Sequence, residues 1–179
     1  AKMASLVELD GITDEADDVS RSHTNILVAV DGSPAADEAV HKAFTRHYRD
    51  GDRIDLVYCL EKKKFADVLP SEAAKRKEEM AATADRLKRK YDALYKERGA
   101  KGTFHCVSSW DAQEGIMAVI AKKNVDVLIV GTRGFGAVKS FFLGSVSKYL
   151  TQHAPCSVIV IKPPKSEVPA AHLAEVAAS

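Results

Sequence analysis

Apolar positions along the chain fall into two alternating rhythms. The runs NILVAVD (Asn25 to Asp31), RIDLVYCL (Arg53 to Leu60), GTFHCVS (Gly102 to Ser108), VDVLIVG (Val125 to Gly131) and CSVIVIK (Cys156 to Lys162) are short and rich in β-branched residues, so each predicts a strand. VDVLIVG is apolar at nearly every position, as expected of a strand buried on both faces in the middle of a parallel sheet. Between these runs the apolar period changes to three and four. Ala36, Ala39, Val40, Ala43, Phe44 and His47 form one stripe, on a helix that starts at a Ser33 cap with Pro34 in its first turn and ends at Gly51. Ala73, Met80, Ala84, Leu87, Tyr91 and Leu94 form a second stripe, on a long helix lying between Ser71 and Arg98. Ile116, Val119 and Ile120 face inward on a third helix from about Asp111 to Lys122, and a fourth is expected from about Gly144 to His153.

Five strands alternating with four helices predict an α/β fold: a three-layer, Rossmann-like sandwich around a parallel sheet with right-handed crossovers. The expected domain runs over residues 24–163, closed by Pro163-Pro164. An acidic stretch, 1–23, precedes it, with Glu8, Asp10, Asp14, Glu15, Asp17 and Asp18 but few large apolar side chains, which predicts a flexible extension. A C-terminal tail, 164–179, follows. In such a sheet ligands bind beyond the carboxyl ends of the strands, where strand order reverses. Those ends are Asp31, the neighbourhood of Cys59, and Gly131.

Charge narrows the ligand classes. Among 179 residues, 26 Lys and Arg offset 25 Asp and Glu, so there is no global field to gather nucleic acid or an anionic membrane. The interleaved signs on the long helix read as a solvated face, and no nucleic-acid partner is expected. No apolar run approaches the roughly 20 residues that a membrane helix needs. Cys59, Cys106 and Cys156 are odd in number and widely spaced, fitting neither a disulfide framework nor a metal site and pointing to a reduced, cytoplasmic setting. The six histidines are scattered, without ligand spacing.

The segment GTRGFGAVKSFFLGS, Gly131 to Ser145, holds four glycines but neither GxxxxGK[ST] nor GxGxxG. It leaves a strand at Gly131 and enters a helix at Gly144-Ser145, so it delivers unpaired N–H groups and a positive dipole end to the sheet's carboxyl edge. That suits an anion, with Ser145 and Ser147 adding hydroxyls and Gly131, Gly134 and Gly144 permitting close approach or positive φ. Composition alone allows a plain surface turn equally well; the position after the central strand favours the anion. Asp31 either caps the next helix or binds a ribose hydroxyl or a phosphate-bound Mg.

The combination of ILVAVDGS with VDVLIVGTRGFGAVKSFFLGSVSKYLTQHAPCSVIVIK resembles the universal stress protein family, whose nucleotide-binding members carry G-x2-G-x9-G-[ST]. Gly131, Gly134, Gly144 and Ser145 match that spacing, and the resemblance covers about Asn25 to Lys162. It implies strand order 3-2-1-4-5 and an adenine nucleotide, ATP or AMP, at the switch point, with Mg possible beside ATP. By that resemblance Ala29, Val30 and Asp31 line adenine and ribose, and the Cys59 backbone meets the adenine edge. Val130 and Gly131 approach the ribose, while Gly134, Gly144, Ser145, Val146 and Ser147 surround the phosphates, with Arg133 and less directly Lys139 assisting. Tyr58-Cys59 stands where many members have His-Val, and Trp110 where a glycine is common. The implied role is a stress or signalling module switched by nucleotide, dimerising through the last strand, Cys156 to Lys162, and acting on a downstream protein that the sequence does not specify. A slow ATPase or nucleotide-transferring enzyme and a ligand-independent dimeric module are the competing readings. Neither a positioned base nor a P-loop lysine is present to favour the enzyme.

Overall fold

A computed structural model describes residues 23–65, 67–132 and 143–162. Strands β1 (Asn25–Ala29), β2 (Arg53–Glu61), β3 (Phe104–Ser109), β4 (Val127–Gly131) and β5 (Ser157–Ile161) form one parallel sheet in the order β3-β2-β1-β4-β5. This is the expected order. Helices α1 (Pro34–Lys42) and α2 (Pro70–Arg98) cover one face; α3 (Ala112–Lys123) and α4 (Ser145–His153) cover the other. Residues 1–22 and 163–179 lie outside the described part, and with them the expected acidic extension and tail.

Alternation along the strands divides the core in two. Ile26 and Val28 of β1 point toward α1 and α2, where they meet Ala39, Val40, Leu87 and Tyr91; Leu27, between them, points toward α3 and α4 to meet Val119, Ile120 and Leu150. Leu27, Val28, Leu128 and Ile129 are all fully buried, as a continuous apolar pattern in β1 and β4 requires. Switching the crossover from one face to the other between β1 and β4 opens the crevice expected to hold a ligand.

Two local features depart from the periodicity. The α-helical part of the first helix ends at Lys42, not Gly51, and passes into a π-helical turn, Ala43–His47, closed by the Tyr48 N–H on the Ala43 carbonyl at 2.8 Å. The wider turn seats Phe44 in the core with Tyr48 against it, ring centroids 5.9 Å apart, a packing gain that helical periodicity does not encode. In α2 the buried face is Ala84, Leu87, Tyr91 and Tyr95, whereas Ala73, Met80 and Leu94 are only half-buried. Its N-terminal half therefore overhangs the carboxyl end of the sheet.

A buried polar cluster fastens β2 to β3. Asp55 Oδ1 accepts from the Thr103 N–H at 2.8 Å, and Oδ2 stands 3.2 Å from both Arg53 Nε and His105 Nε2. Burial pushes the Asp55 carboxyl up, but contact with His105 and the charge of Arg53 outweigh it and hold the group below its ordinary value of 3.8. A lowered folded value means the unfolded chain binds the extra proton as acid is added. The pair's contribution to stability is thus complete above the unfolded pKa and lost as pH falls below about 4 through the folded value. Urea unfolding at stepped pH should show stability dropping over this range, and Asp55→Asn, less stable at neutral pH, should flatten that drop. An equal drop in both proteins would remove Asp55 as the cause.

Candidate functional site

The carboxyl ends of β1, β2 and β4 open into a cavity of about 560 Å³. Every expected site residue within the described part lines it: Ala29 at the end of β1 with Val30 and Asp31 just after it, Cys59 from β2, Val130 and Gly131 from β4, and Gly144, Ser145, Val146 and Ser147 at the cap and first turn of α4. Arg133, Gly134 and Lys139 lie outside the described residues.

Four helix N-termini can be compared. Ser33 Oγ caps α1 by accepting from the Ala36 N–H at 3.3 Å, and Asp111 Oδ1 caps α3 by accepting from the Glu114 N–H at 3.0 Å. Neither α2 nor α4 has a side-chain cap. Of these two, α4 begins in the cavity, with Gly144 as the cap residue and its first intrahelical bond running from the Lys148 N–H to the Gly144 carbonyl at 2.9 Å. The N–H groups of Ser145, Val146 and Ser147 precede that bond and gain no acceptor from the helix. They concentrate partial positive charge where an anion could bind, worth up to about 2 kcal/mol when partly buried.

The frame holding this terminus is made of main chain. The Thr132 N–H donates to the Ile161 carbonyl at 2.8 Å, and the Gly144 N–H donates to the Thr132 carbonyl at 2.7 Å. Ser147 Oγ, nearly buried, lies 3.2 Å from the Thr132 carbonyl and 3.1 Å from that of Gly144. Its single proton is committed to these carbonyls, so the hydroxyl ties α4 to the end of β4. Ser145 is the hydroxyl left for an anion.

Gly131 and Gly144 act otherwise than through positive φ. Among the described glycines only Gly32, Gly51 and Gly99 have it, and Gly144 sits at φ −62. A Cβ on Gly131 would stand 3.0 Å from the backbone of Ala35, so this glycine lets the start of α1 approach β4. Gly32, at φ +82, provides the left-handed step after Asp31. The Asp31 carboxylate stabilises that step: Oδ1 accepts from the Ser33 N–H at 2.9 Å. Ser33, not Asp31, is therefore the cap of α1, and the Asp31 side chain borders the cavity.

The floor of the cavity at β2 is a thiol held by hydroxyl and carbonyl. Cys59 Sγ lies 3.0 Å from Ser109 Oγ and 3.7 Å from the Asp111 carbonyl, to which Ser109 Oγ also donates. Burial pushes the Cys59 thiol up to about 11, so it is protonated and unreactive at neutral pH. Gly115 of α3 makes room for it: a Cβ there would fall 2.8 Å from Sγ. Tyr58 lines the same cavity, its phenol pushed up to about 12 by burial and nearby acidic groups.

Sequence reasoning missed a second wall. Thr83 and Arg86 of α2 and Glu61, Lys63 and Lys64 at the end of β2 line the cavity opposite α4. Glu61 is paired with Lys64 and, at 3.4 Å, with Lys63. The 3-residue spacing of Thr83 and Arg86 places them on one helix face, but only the overhang of α2 brings that face to the cavity. Among the described residues no group of three or more His, Cys, Asp or Glu could hold a metal ion, and no helix is long and apolar enough to cross a membrane.

Comparison with known proteins agrees with this architecture. A universal stress protein of Staphylococcus haemolyticus is 29% identical over 161 residues, spanning 87% of this chain and 93% of its own. The universal stress protein UspA from Lactobacillus plantarum superposes with a TM-score of 0.68 at 25% identity, over 77% of this chain and 97% of its own. A universal stress protein family protein from Arabidopsis thaliana, solved with AMP bound, superposes with a TM-score of 0.63 at 21% identity, over 82% of this chain and 96% of its own. The sequence model of the universal stress protein family matches residues 23–162, and the chain belongs to that family.

Proposed function

We propose that the chain binds an adenine nucleotide, ATP or AMP, in the cavity and acts as a nucleotide-dependent switch in stress response or signalling. The observation that carries this reading is the uncapped N-terminus of α4, which opens into a cavity bordered by Asp31. The phosphates would lie against the N–H groups of Ser145, Val146 and Ser147 and the Ser145 hydroxyl. The ribose would face Asp31 and the Val130-Gly131 backbone, and the base would reach the Cys59 main chain. The AMP-bound Arabidopsis relative supports the ligand class. A metal would arrive with ATP: Asp31 supplies one carboxylate, and Mg tolerates a single protein ligand when phosphates and water complete its shell. A reduced cytoplasmic setting fits the three free cysteines.

The test is mass spectrometry of any small molecule released when the purified full chain is denatured, followed by calorimetric titration of the emptied protein with ATP and AMP. Release of an adenine nucleotide, or saturable binding of either, is the expected result. Neither release nor binding would end the nucleotide reading.

Dimerisation through the last strand belongs to the same proposal. β5 pairs with β4 and ends the sheet, and Ser157–Ile161 contains neither proline nor charge to block a second strand. Light scattering at micromolar concentration should give twice the chain mass. Monomer alone would contradict it.

A further inference from the structure

The second wall carries a chemistry that a nucleoside monophosphate leaves unused. β2 extends four residues beyond Val57, the partner of Ala29 at the end of β1, so Glu61 and the turn after it stand above the level of Asp31. Neighbouring strands are about 4.8 Å apart, which puts this overhang within a ribose substituent's reach of a sugar seated at Asp31. Lys63 and Lys64 are 42% and 56% exposed, and both share the carboxylate of Glu61, 12% exposed, while Lys63 also stands 3.9 Å from Asp111 Oδ2. Exposed lysine pairs of this kind exchange partners at little cost. Arg86 approaches from α2 and has neither an ion pair nor a hydrogen bond among the described residues. Its planar fork is suited to a phosphate.

Resting on the nucleotide reading above, we propose that Arg86, assisted by Lys64, binds a second phosphate carried on the ribose, so that the site selects nucleoside 3′,5′-bisphosphates over 5′-monophosphates. The α4 terminus takes the 5′-phosphate, and the overhang takes the phosphate on the other side of the sugar. Free adenosine 3′,5′-bisphosphate and the nucleotide end of coenzyme A share this chemistry.

The full-length protein is titrated calorimetrically at 0.15 M salt with AMP, ADP, adenosine 3′,5′-bisphosphate and coenzyme A, and the series is repeated with R86Q and K64Q. The bisphosphate should bind on the order of 10-fold more tightly than AMP, the scale of one well-made charge-assisted phosphate contact. In R86Q that ratio should fall to near one and in K64Q it should fall part-way, while the ratio of ADP to AMP, whose extra charge lies on the 5′ side, should not change. Coenzyme A binding like the bisphosphate identifies a site open beyond the 5′-phosphate; bisphosphate alone identifies the free compound. AMP binding without any bisphosphate gain, or a gain that R86Q leaves intact, overturns this inference and spares the nucleotide reading. Binding of none of the four by a folded protein overturns both. R86Q lowering ADP as much as the bisphosphate would reduce Arg86 to a general attractor and overturn the assignment.

Discussion

Gly144→Asp is expected to make the protein more stable and to cost at least about 100-fold in nucleotide affinity, two effects of opposite sign from one carboxylate. At the cap of α4 the new side chain would accept from the N–H groups that the present structure leaves uncapped. Replacing glycine by aspartate there gains a few tenths of a kcal/mol from capping. The dipole adds about 0.3–1 kcal/mol more. The same carboxylate would occupy the phosphate position and repel what came to it. Loss of two charge-assisted bonds, each about 1.5–3 kcal/mol, already exceeds 100-fold. Thermal melting paired with ATP titration checks both halves. A melting point that rises while ATP binds undiminished would separate the helix terminus from the ligand.

The second large effect is structural. Gly102 precedes β3 where the chain passes over Ile54, and a Cβ there would lie 1.9 Å from the Ile54 carbonyl oxygen and 2.8 Å from Tyr95 Cε1. The first neighbour is backbone, held by the Tyr95 hydroxyl at 2.7 Å, while the Ile54 N–H donates to the Lys101 carbonyl at 2.9 Å. Neither side can yield alone. Gly102→Ala must push β3 away from β2 and disturb the Tyr95 bond, at a cost of about 3 kcal/mol, the upper end of ordinary overpacking. Denaturant unfolding measures it; a loss below about 1 kcal/mol would mean that the strand ends are less constrained than they stand here. Nucleotide affinity of the folded fraction should be unchanged, because Gly102 lies at the amino end of the sheet, away from the cavity.

These two glycines show what the sequence made legible and what it did not. Gly144 could be read because its neighbours along the chain define its role: a buried strand, a loop of fixed spacing, and a helix beginning at Ser145. Strand order follows from the family resemblance, and the ten expected site residues that are described all line the cavity. Gly102 could not be read, since the atoms that exclude a side chain there belong to Ile54 and Tyr95, distant in sequence. Gly131 was legible as a site residue for a partly different reason from the one it serves, since Ala35 also demands it. Asp31 left a choice between cap and ligand group; the cap is taken by Ser33 Oγ on the Ala36 N–H, and the Asp31 carboxylate accepts from the Ser33 N–H instead. The wall of Thr83 and Arg86 was hidden for the same reason as Gly102. An amphipathic period tells which face of α2 is buried, but not that half of the helix extends beyond the sheet to flank a cavity.

The central claim is that the first turn of α4 receives phosphate through its main chain. Amide proton and nitrogen shifts of Ser145, Val146 and Ser147, followed by NMR as AMP is added to uniformly labelled protein, read those groups directly. Saturable downfield proton shifts at these three amides, larger than at the capped first turns of α1 and α3, are the expected result. Saturation of the protein with AMP while the three amides keep their positions would contradict the account.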